Sequence, residues 1–467
     1  MQERAPTQLS PRFRMLLPSE CRTKASQKVC MPINVLPSTK MKKVGIVGGG
    51  IVGNCLARIL SEEKDVQTII FERGGTGGGK EEAPLPGSTG LAPGFIGQFN
   101  TIDCLCILAQ RTVEHYKSIP DGFAQVGGLE VAFTEKGLKE LQERFELTQQ
   151  NSKVKARWVN GEEACKFEPV LLSNKDEGQL RKILGGIFYP NDGTANAKLI
   201  ARDEQKKAIE TGAKVIYADV TAIEPGLIIT KEGERFEVDD VVLCSGIWTK
   251  ELLNHLPVYP VAHPYTYSEP HSDPKRKEAK AGPTPFIRWP EIHAYGRDHG
   301  PQYGFGSYNH IPILAETHMN KNEQQNKSAN DPWLPLFTEI LQTDGQKVLN
   351  EDVLKSFHLD EQYSVGSNIP PKRAFNGVFS VTPDLKPLAG LYDTKGKSRL
   401  FTCVAVWVTH AFGTAQLISK LILNKELDSE DETILNEINP RRFDSVEDES
   451  TLRNQSLAMY NDIYARK

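Results

Sequence analysis

The chain has 467 residues, with 56 Lys and Arg against 60 Asp and Glu, a net charge of −4 and 39% hydrophobic residues. That length is more than one core usually serves, so two domains or one large domain with an inserted second are expected. The balanced charge gives no sign of a nucleic-acid or anionic-membrane partner, and no window approaches about 18 uninterrupted apolar residues, so a soluble chain without a membrane span is expected.

The eight cysteines include no pair at CxxC spacing, which speaks against a zinc or redox dithiol site. Several sit in apolar runs, as reduced thiols of an intracellular protein, mitochondrial or cytoplasmic, would. Residues 1–40 have no apolar periodicity and carry Arg4, Arg12, Arg14, Arg22, Lys24, Lys28 and Lys40 against only Glu3 and Glu20. Basic and acid-poor, they have the composition of a mitochondrial transit peptide, and equally of a disordered tail or of a chain whose true start is Met41.

The stretch from Lys43 to Glu72, KVGIVGGGIVGNCLARILSEEKDVQTIIFE, organises the rest of the chain. Val44 to Val47 suit a buried parallel strand, and Gly48-x-Gly50-x-x-Gly53 comes next without a gap. Gly48 permits a tight turn, Gly50 lets a pyrophosphate approach the backbone, and Gly53 lets the next helix pack closely on the sheet. The helix N-terminus then offers free N–H groups and a positive dipole end. Thr68 to Phe71 reads as the second strand. Glu72 closes it, about 20 residues past the glycines, where a carboxylate reaches ribose hydroxyls. The motif predicts dinucleotide binding without choosing between FAD and NAD.

After Glu72 a glycine- and proline-rich loop runs to about Gly97. Helices are expected over 103–118, 136–150 and 197–210, and strands over 127–133, 212–217 and, ending at Ser245-Gly246, 238–248. From Pro257 to about Pro371 prolines, aromatics and polar turns dominate, as in a β-rich second domain. Residues 404–408 read as a strand, 410–414 as a turn, 415–423 as a helix, and the charged last section ends in a helix over 451–464.

Together these stretches resemble the FAD-dependent amine oxidoreductases of the D-amino-acid-oxidase class, within it the dimethylglycine and sarcosine dehydrogenase or oxidase branch. The resemblance runs from Lys43 to about Phe443. Besides the opening fingerprint it rests on GSTGLAPG at 87–94, VVLCSGIW at 241–248, AHPY at 262–265, AYGRDHGPQYGFGSYNHIP at 294–312, NGVFSVTPDLKPLAG at 376–390 and VAVWVTHAFGTAQ at 404–416. It implies an α/β fold in which a Rossmann-like FAD-binding domain (41–125, 185–256 and 375–430) is interleaved with a β-rich, α+β substrate domain (126–184 and 257–374), followed by a C-terminal tail and helix at 431–467.

The resemblance also implies FAD as the cofactor, held by Gly48, Gly50, Gly53, Glu72, Ser88, Thr89, Val220, Gly246, Trp248, Asp384, His410, Gly413 and Thr414. The helix beginning near Thr414 would aim N–H groups at the flavin pyrimidine. Read from the residues alone, Trp248 and Trp407 are packing, and His410 is a partner for backbone. The branch attaches its flavin through a histidine where this chain has Leu91, so a non-covalent flavin is expected, with Cys403 as the remaining nucleophile nearby. Members of the branch often carry a further C-terminal folate-binding region, and none is expected within these 467 residues.

The reaction implied is oxidation of a secondary or tertiary amine or amino acid to an imine, with oxygen or an electron-transfer protein as acceptor and no metal. The protein must orient the amine and favour its neutral form. From spacing alone His263 caps a strand and Tyr295 is a half-buried aromatic, whereas the motif context makes them the active-site pair. Arg297, with Arg288 beside it in the same domain, is the candidate cation for a substrate carboxylate. The alternatives are an FAD-binding protein without amine turnover and an NAD-using dehydrogenase.

Overall fold

The apolar run before the glycines forms strand β1 (Lys42–Val47), whose last four residues are buried. Helix α1 (Ile51–Ser61) and strand β2 (Val66–Glu72) complete a βαβ unit, with β1 and β2 paired in parallel from Lys42↔Val66 to Val47↔Phe71. The structure is a computed structural model and describes residues 41–74, 85, 87–151, 153–169, 172, 181–279, 281–315, 339–357, 374–446 and 448–463. The expectations for residues 1–40 and for much of the loop after Glu72 lie outside the described residues.

Strand β1 stands inside a six-stranded sheet ordered Leu388–Lys395, Ser398–Val404, Asp240–Leu243, β1, β2, Lys214–Tyr217. Every neighbouring pair is parallel except the first, and parallel pairing requires crossover segments that cover the faces. On one face α1 packs between Ala197–Glu210 and Ala411–Ile422, and the latter lies on Asp103–Tyr116. On the other face Ile228, from a small antiparallel sheet, packs with Phe71, Val241 and Leu243. This is the expected Rossmann-like α/β half.

The second sheet has eight strands, ordered Ala374–Val381, Tyr259–Tyr267, Tyr303–Ser307, Ala294–Asp298, Phe286–Trp289, Gly128–Ala132, Gly185–Tyr189, Arg157–Asn160. All pairs are antiparallel except Phe286–Trp289 with Gly128–Ala132. Two of its strands differ from the sequence division at 185 and 375. Gly185–Tyr189 pairs with Gly128–Ala132, and Ala374–Val381 pairs with Tyr259–Tyr267. Both are short apolar runs, and such runs carry no mark of the sheet they join. The C-terminal helix, Glu449–Asn461, is also more than a tail, since Tyr460 is buried against Val261, Tyr265 and Tyr295 of the eight-stranded sheet.

Register in this sheet brings the chemistry together. Glu130 is paired with Arg288, Arg288 with Tyr295, Tyr295 with Gly306 and Gly306 with Tyr265, so one row of side chains crosses five strands on one face. His263 precedes Tyr265 by one alternation and shares that face. A Cβ at Gly306 would stand 2.6 Å from the Tyr295 hydroxyl and 2.9 Å from the Tyr265 ring. The glycine is thus what lets Tyr295 lean across toward His263.

Candidate functional site

A trough runs from the β1–α1 turn to this face of the second sheet. Its first part is lined by Gly48, Gly50, Glu72, Ser88, Thr89, Val220, Gly246 and Trp248 among others. Its second part is lined by Leu91, His263, Tyr295, Arg288 and His410 among others, and Ile51, Ser88, Thr89, Ser380 and Val406 belong to both. Gly48 adopts φ +112°, and a Cβ there would lie 2.5 Å from the Cys244 carbonyl oxygen. Helix α1 has no acidic residue in its first turn. The Ile51 N–H donates to Thr89 Oγ1 at 3.1 Å. A turn without side chains leading into an unopposed helix N-terminus is a fitting seat for a pyrophosphate.

Glu72 lines this part, but its carboxylate already ties the turn together: Oε2 accepts from the Gly49 N–H at 2.6 Å and Oε1 from the Gly74 N–H at 2.5 Å. Replacing Glu72 by alanine is therefore expected to weaken flavin binding by about 1.5–3 kcal/mol, the scale of a charge-assisted hydrogen bond. Equilibrium titration of flavin onto the stripped protein measures this, and an unchanged Kd would move the ribose-binding role elsewhere. Trp248 lies under the Arg73 guanidinium, 5.0 Å from the ring centroid, and both line the trough.

The expected strand over 404–408 ends at Val404, because Ala405 takes a left-handed conformation at φ +54°. Such a conformation in a non-glycine residue is costly and held only by its surroundings. It turns Val406 to His410 into the trough and starts the helix Ala411–Ile422 there. Burial pushes the His410 imidazole down to about 4, so it faces the trough neutral.

Five expected site residues do not line the trough. Gly53 packs under the turn, where a Cβ would meet the Gly48 carbonyl oxygen at 2.0 Å. Gly413 gives its N–H to Thr112 Oγ1 at 2.9 Å, and Thr414 Oγ1 donates to the His410 carbonyl at 2.8 Å, so both hold the helix rather than a ligand. Asp384 accepts from Arg442 at 2.7 and 2.9 Å. Arg297 shares the face of Tyr295, yet its guanidinium donates to the carbonyls of Pro93 and Gly94 at 2.7 and 3.2 Å. It props the loop that forms one lip of the trough.

Arg288 and Arg144 both line the second part of the trough and share the buried carboxylate of Glu130. Arg144 Nε donates to it at 2.7 Å and Arg288 Nη1 at 3.4 Å. Burial works against the Glu130 carboxylate, but Arg144 and Arg288 outweigh it and hold the group below its usual range. Nearby Asp192 is pushed up to about 7 by burial. Two guanidinium groups against one firmly ionised carboxylate leave this end of the trough positive.

His263 sits at the opposite end, almost fully buried. Its Nε2 meets the Tyr295 hydroxyl and its Nδ1 the Tyr460 hydroxyl, the latter at 2.6 Å. Burial first, then the neighbouring His310, holds the imidazole well below its ordinary range. It is a neutral base at physiological pH. Sequence reasoning points to neither Arg144 nor Tyr460. Tyr460 lies in a charged helix with no motif, and no signal but its helical phase could have found it.

The chain matches the family model described as FAD dependent oxidoreductase (DAO) over residues 43–421. Among curated proteins it is 27% identical to the bifunctional protein ThiO/ThiG of Synechocystis sp. over 46% of this chain and 31% of that protein. It is 23% identical to the mitochondrial dimethylglycine dehydrogenase of Mus musculus over 85% of this chain and 44% of that one. The chain thus spans between about a third and a half of the length of these relatives. Among solved structures, the L-proline dehydrogenase of P. horikoshii superposes with a TM-score of 0.62 at 19% identity, covering 87% of this chain and 98% of that one. Among the described residues no helix is long and apolar enough to cross a membrane, and no group of three or more His, Cys, Asp and Glu is placed to hold a metal.

Proposed function

This chain belongs to the family of FAD-dependent oxidoreductases, and from that premise we propose that it oxidises a secondary or tertiary amine or amino acid, of dimethylglycine or sarcosine type, to the imine, or to the iminium ion where the amine is tertiary. The observation that carries this reading is the neutral base His263, hydrogen-bonded to Tyr295, on a trough wall whose other end presents Arg288 and Arg144. FAD, bound along the glycine turn, supplies the acceptor for the hydride that leaves the α-carbon.

The residues of this chain do the rest. Arg288 and Arg144 hold the substrate carboxylate. Tyr295 and His263 take the proton of the ammonium, leaving the nitrogen lone pair free to drive hydride loss. Phe379, Tyr308 and Trp407 line the same wall and keep water from it. The six-stranded sheet carries the cofactor in this reading and the eight-stranded sheet the substrate, with oxygen or an electron-transfer protein as final acceptor. The six buried free thiols among the described residues fit a reducing compartment, mitochondrial or cytoplasmic.

Mixing the purified yellow protein anaerobically with a panel of N-methylated and simple amino acids tests the reading, because a cognate amine bleaches the flavin absorbance. Flavin that no amine or amino acid reduces would make this an FAD-binding protein without amine turnover. The same preparation tests attachment. Leu91 lines the trough, and Cys403, buried in its strand, does not. Acid precipitation is expected to release all flavin into the supernatant, and colour retained in the washed pellet would defeat the non-covalent assignment.

A further inference from the structure

Behind His263 the hydrogen bonds continue away from the trough. Tyr460 Oη is 2.6 Å from His263 Nδ1 and 2.9 Å from His310 Nε2. His310 Nδ1 is 3.0 Å from the carbonyl oxygen of Ile311, and His310 itself is 7% exposed. Four polar side chains from separate parts of the chain therefore line up from the trough to the 308–311 turn. The C-terminal helix is fastened for this purpose: Asn461 Nδ2 donates to the carbonyls of Tyr308 and His310 at 2.6 and 2.8 Å, which fixes its neighbour Tyr460 against the 308–311 turn.

The outer end decides the direction of every bond. A carbonyl oxygen only accepts, so His310 Nδ1 carries the hydrogen and its Nε2 is a bare acceptor. The Tyr460 hydroxyl then donates to His310 Nε2 at 2.9 Å, nearer than its other acceptor, the Ala262 carbonyl at 3.3 Å, and accepts from His263 Nδ1–H. His263 Nε2 is bare in turn, and the Tyr295 hydroxyl donates to it. All donors point outward, and an ammonium in the trough meets the Tyr295 oxygen as an acceptor.

We propose that Tyr460 and His310 form a proton relay that carries the proton of the substrate ammonium from Tyr295 and His263 to the 308–311 turn, where His310 is 7% exposed. The proposal rests on the amine-oxidising reading of the trough. In the step, the Tyr295 oxygen takes a proton from the substrate nitrogen as its own passes to His263 Nε2. The Nδ1 hydrogen of His263 passes to Tyr460, and that of Tyr460 to His310 Nε2. One N–H or O–H bond breaks for each that forms, no electron is transferred, and the single positive charge moves from the substrate to His310. His310 Nδ1 then releases a proton to water, and a later inward transfer by the same atoms restores the starting tautomers and delivers one proton from Tyr295 to the product nitrogen in the trough.

The surroundings favour charge at the outer end. Burial lowers both imidazoles, but at His310 the Ile311 carbonyl, Glu339 and Asp344 work against it, whereas among the described residues no carboxylate acts on His263, which feels His310 itself. Asp344 is shared with Ser307, Asn309 and Lys347, at 2.7, 3.1 and 3.6 Å, which holds it in place beside the turn. The other ionisable groups in ring contact with His263 among the described residues are Tyr295, Tyr308 and Tyr460.

Tyr460→Phe keeps the ring and removes the linking oxygen. With the flavin-loaded protein and a cognate amine, its rate of anaerobic flavin reduction is expected to fall on the order of 10²-fold at about pH 7, where the amine arrives protonated. The loss should close toward about pH 10, where the amine arrives neutral. His310→Gln keeps an acceptor for Tyr460 but cannot take the proton, so it should lose rate with the same pH dependence, and it decides the matter if Tyr460→Phe does not fold. A rate equal to the parent at every pH, or lowered equally at every pH, overturns the relay. The tautomers give a reading without turnover: 15N spectra of the parent should show Nδ1–H on both His263 and His310, and Nε2–H on either one overturns the direction of the chain. Should His263→Asn and Tyr295→Phe leave the rate unchanged at every pH, the reading of the trough itself fails, an outcome distinct from failure of the relay alone.

Discussion

Replacing His263 by asparagine, or Tyr295 by phenylalanine, is expected to slow anaerobic flavin reduction by about 10²–10⁴-fold, or about 3–5 kcal/mol of transition-state stabilisation. Both side chains line only the part of the trough formed by the eight-stranded sheet, so flavin content should stay at the parental level. His263 is held neutral by burial and by His310, which keeps a basic nitrogen available where asparagine offers none. The same shift has a sign in stability. A folded-state value below the unfolded one, about 6.5, means that the unfolded chain binds the proton first. The contribution of the neutral histidine is therefore present above that value and lost as pH falls through the lower folded value. His263→Asn should flatten this acid loss while it slows the reaction. Parental rates in both variants with a cognate amine would make the pair structural and shift attention to the turn at His410.

Glu130→Gln is expected to destabilise the fold by about 3–5 kcal/mol, the scale of leaving buried charges without their partner. Arg144 and Arg288 both converge on this one carboxylate, 2.7 and 3.4 Å away, and glutamine cannot neutralise either. Denaturant unfolding of parent and variant measures the difference. The sign with pH follows from a carboxyl held below its ordinary range. Its stabilisation is complete above the unfolded value of about 4.3 and is lost as pH falls through the folded one, so the variant should have a shallower acid limb. A loss under about 1 kcal/mol would mean that the two guanidinium groups find water readily and that the carboxylate is dispensable to the wall.

The βαβ unit was legible in the sequence because its parts are contiguous. An apolar run, three spaced glycines, a helical face and a terminal carboxylate each act through neighbours along the chain, and β1, α1 and β2 fall where those signals put them. The pairing of His263 with Tyr295 was legible only through the resemblance of the motifs around them. The physical cause is a register that single-sequence periodicity cannot supply: both flank the strand of Gly306, whose missing side chain lets the tyrosine lean over.

Alternation assigns a face, and only the tertiary structure decides what covers each row of it. Tyr295 and Arg297 share a face, yet the loop at Pro93 and Gly94 captures Arg297 and leaves the row of Arg288 open to the trough. Asp384 is claimed by Arg442 from the C-terminal section, and the turn at Ala405 overrides a residue type that would continue the strand. Tyr460 reaches His263 across 197 positions because a helix that looks solvent-facing in composition is pinned by Asn461. The sequence by itself determined the glycine turn and its βαβ unit, where the forces are local. The composition of the wall that carries His263 and Tyr295 was decided by which distant elements compete for the same few square ångströms of sheet, a contest settled by packing and hydrogen bonding in three dimensions.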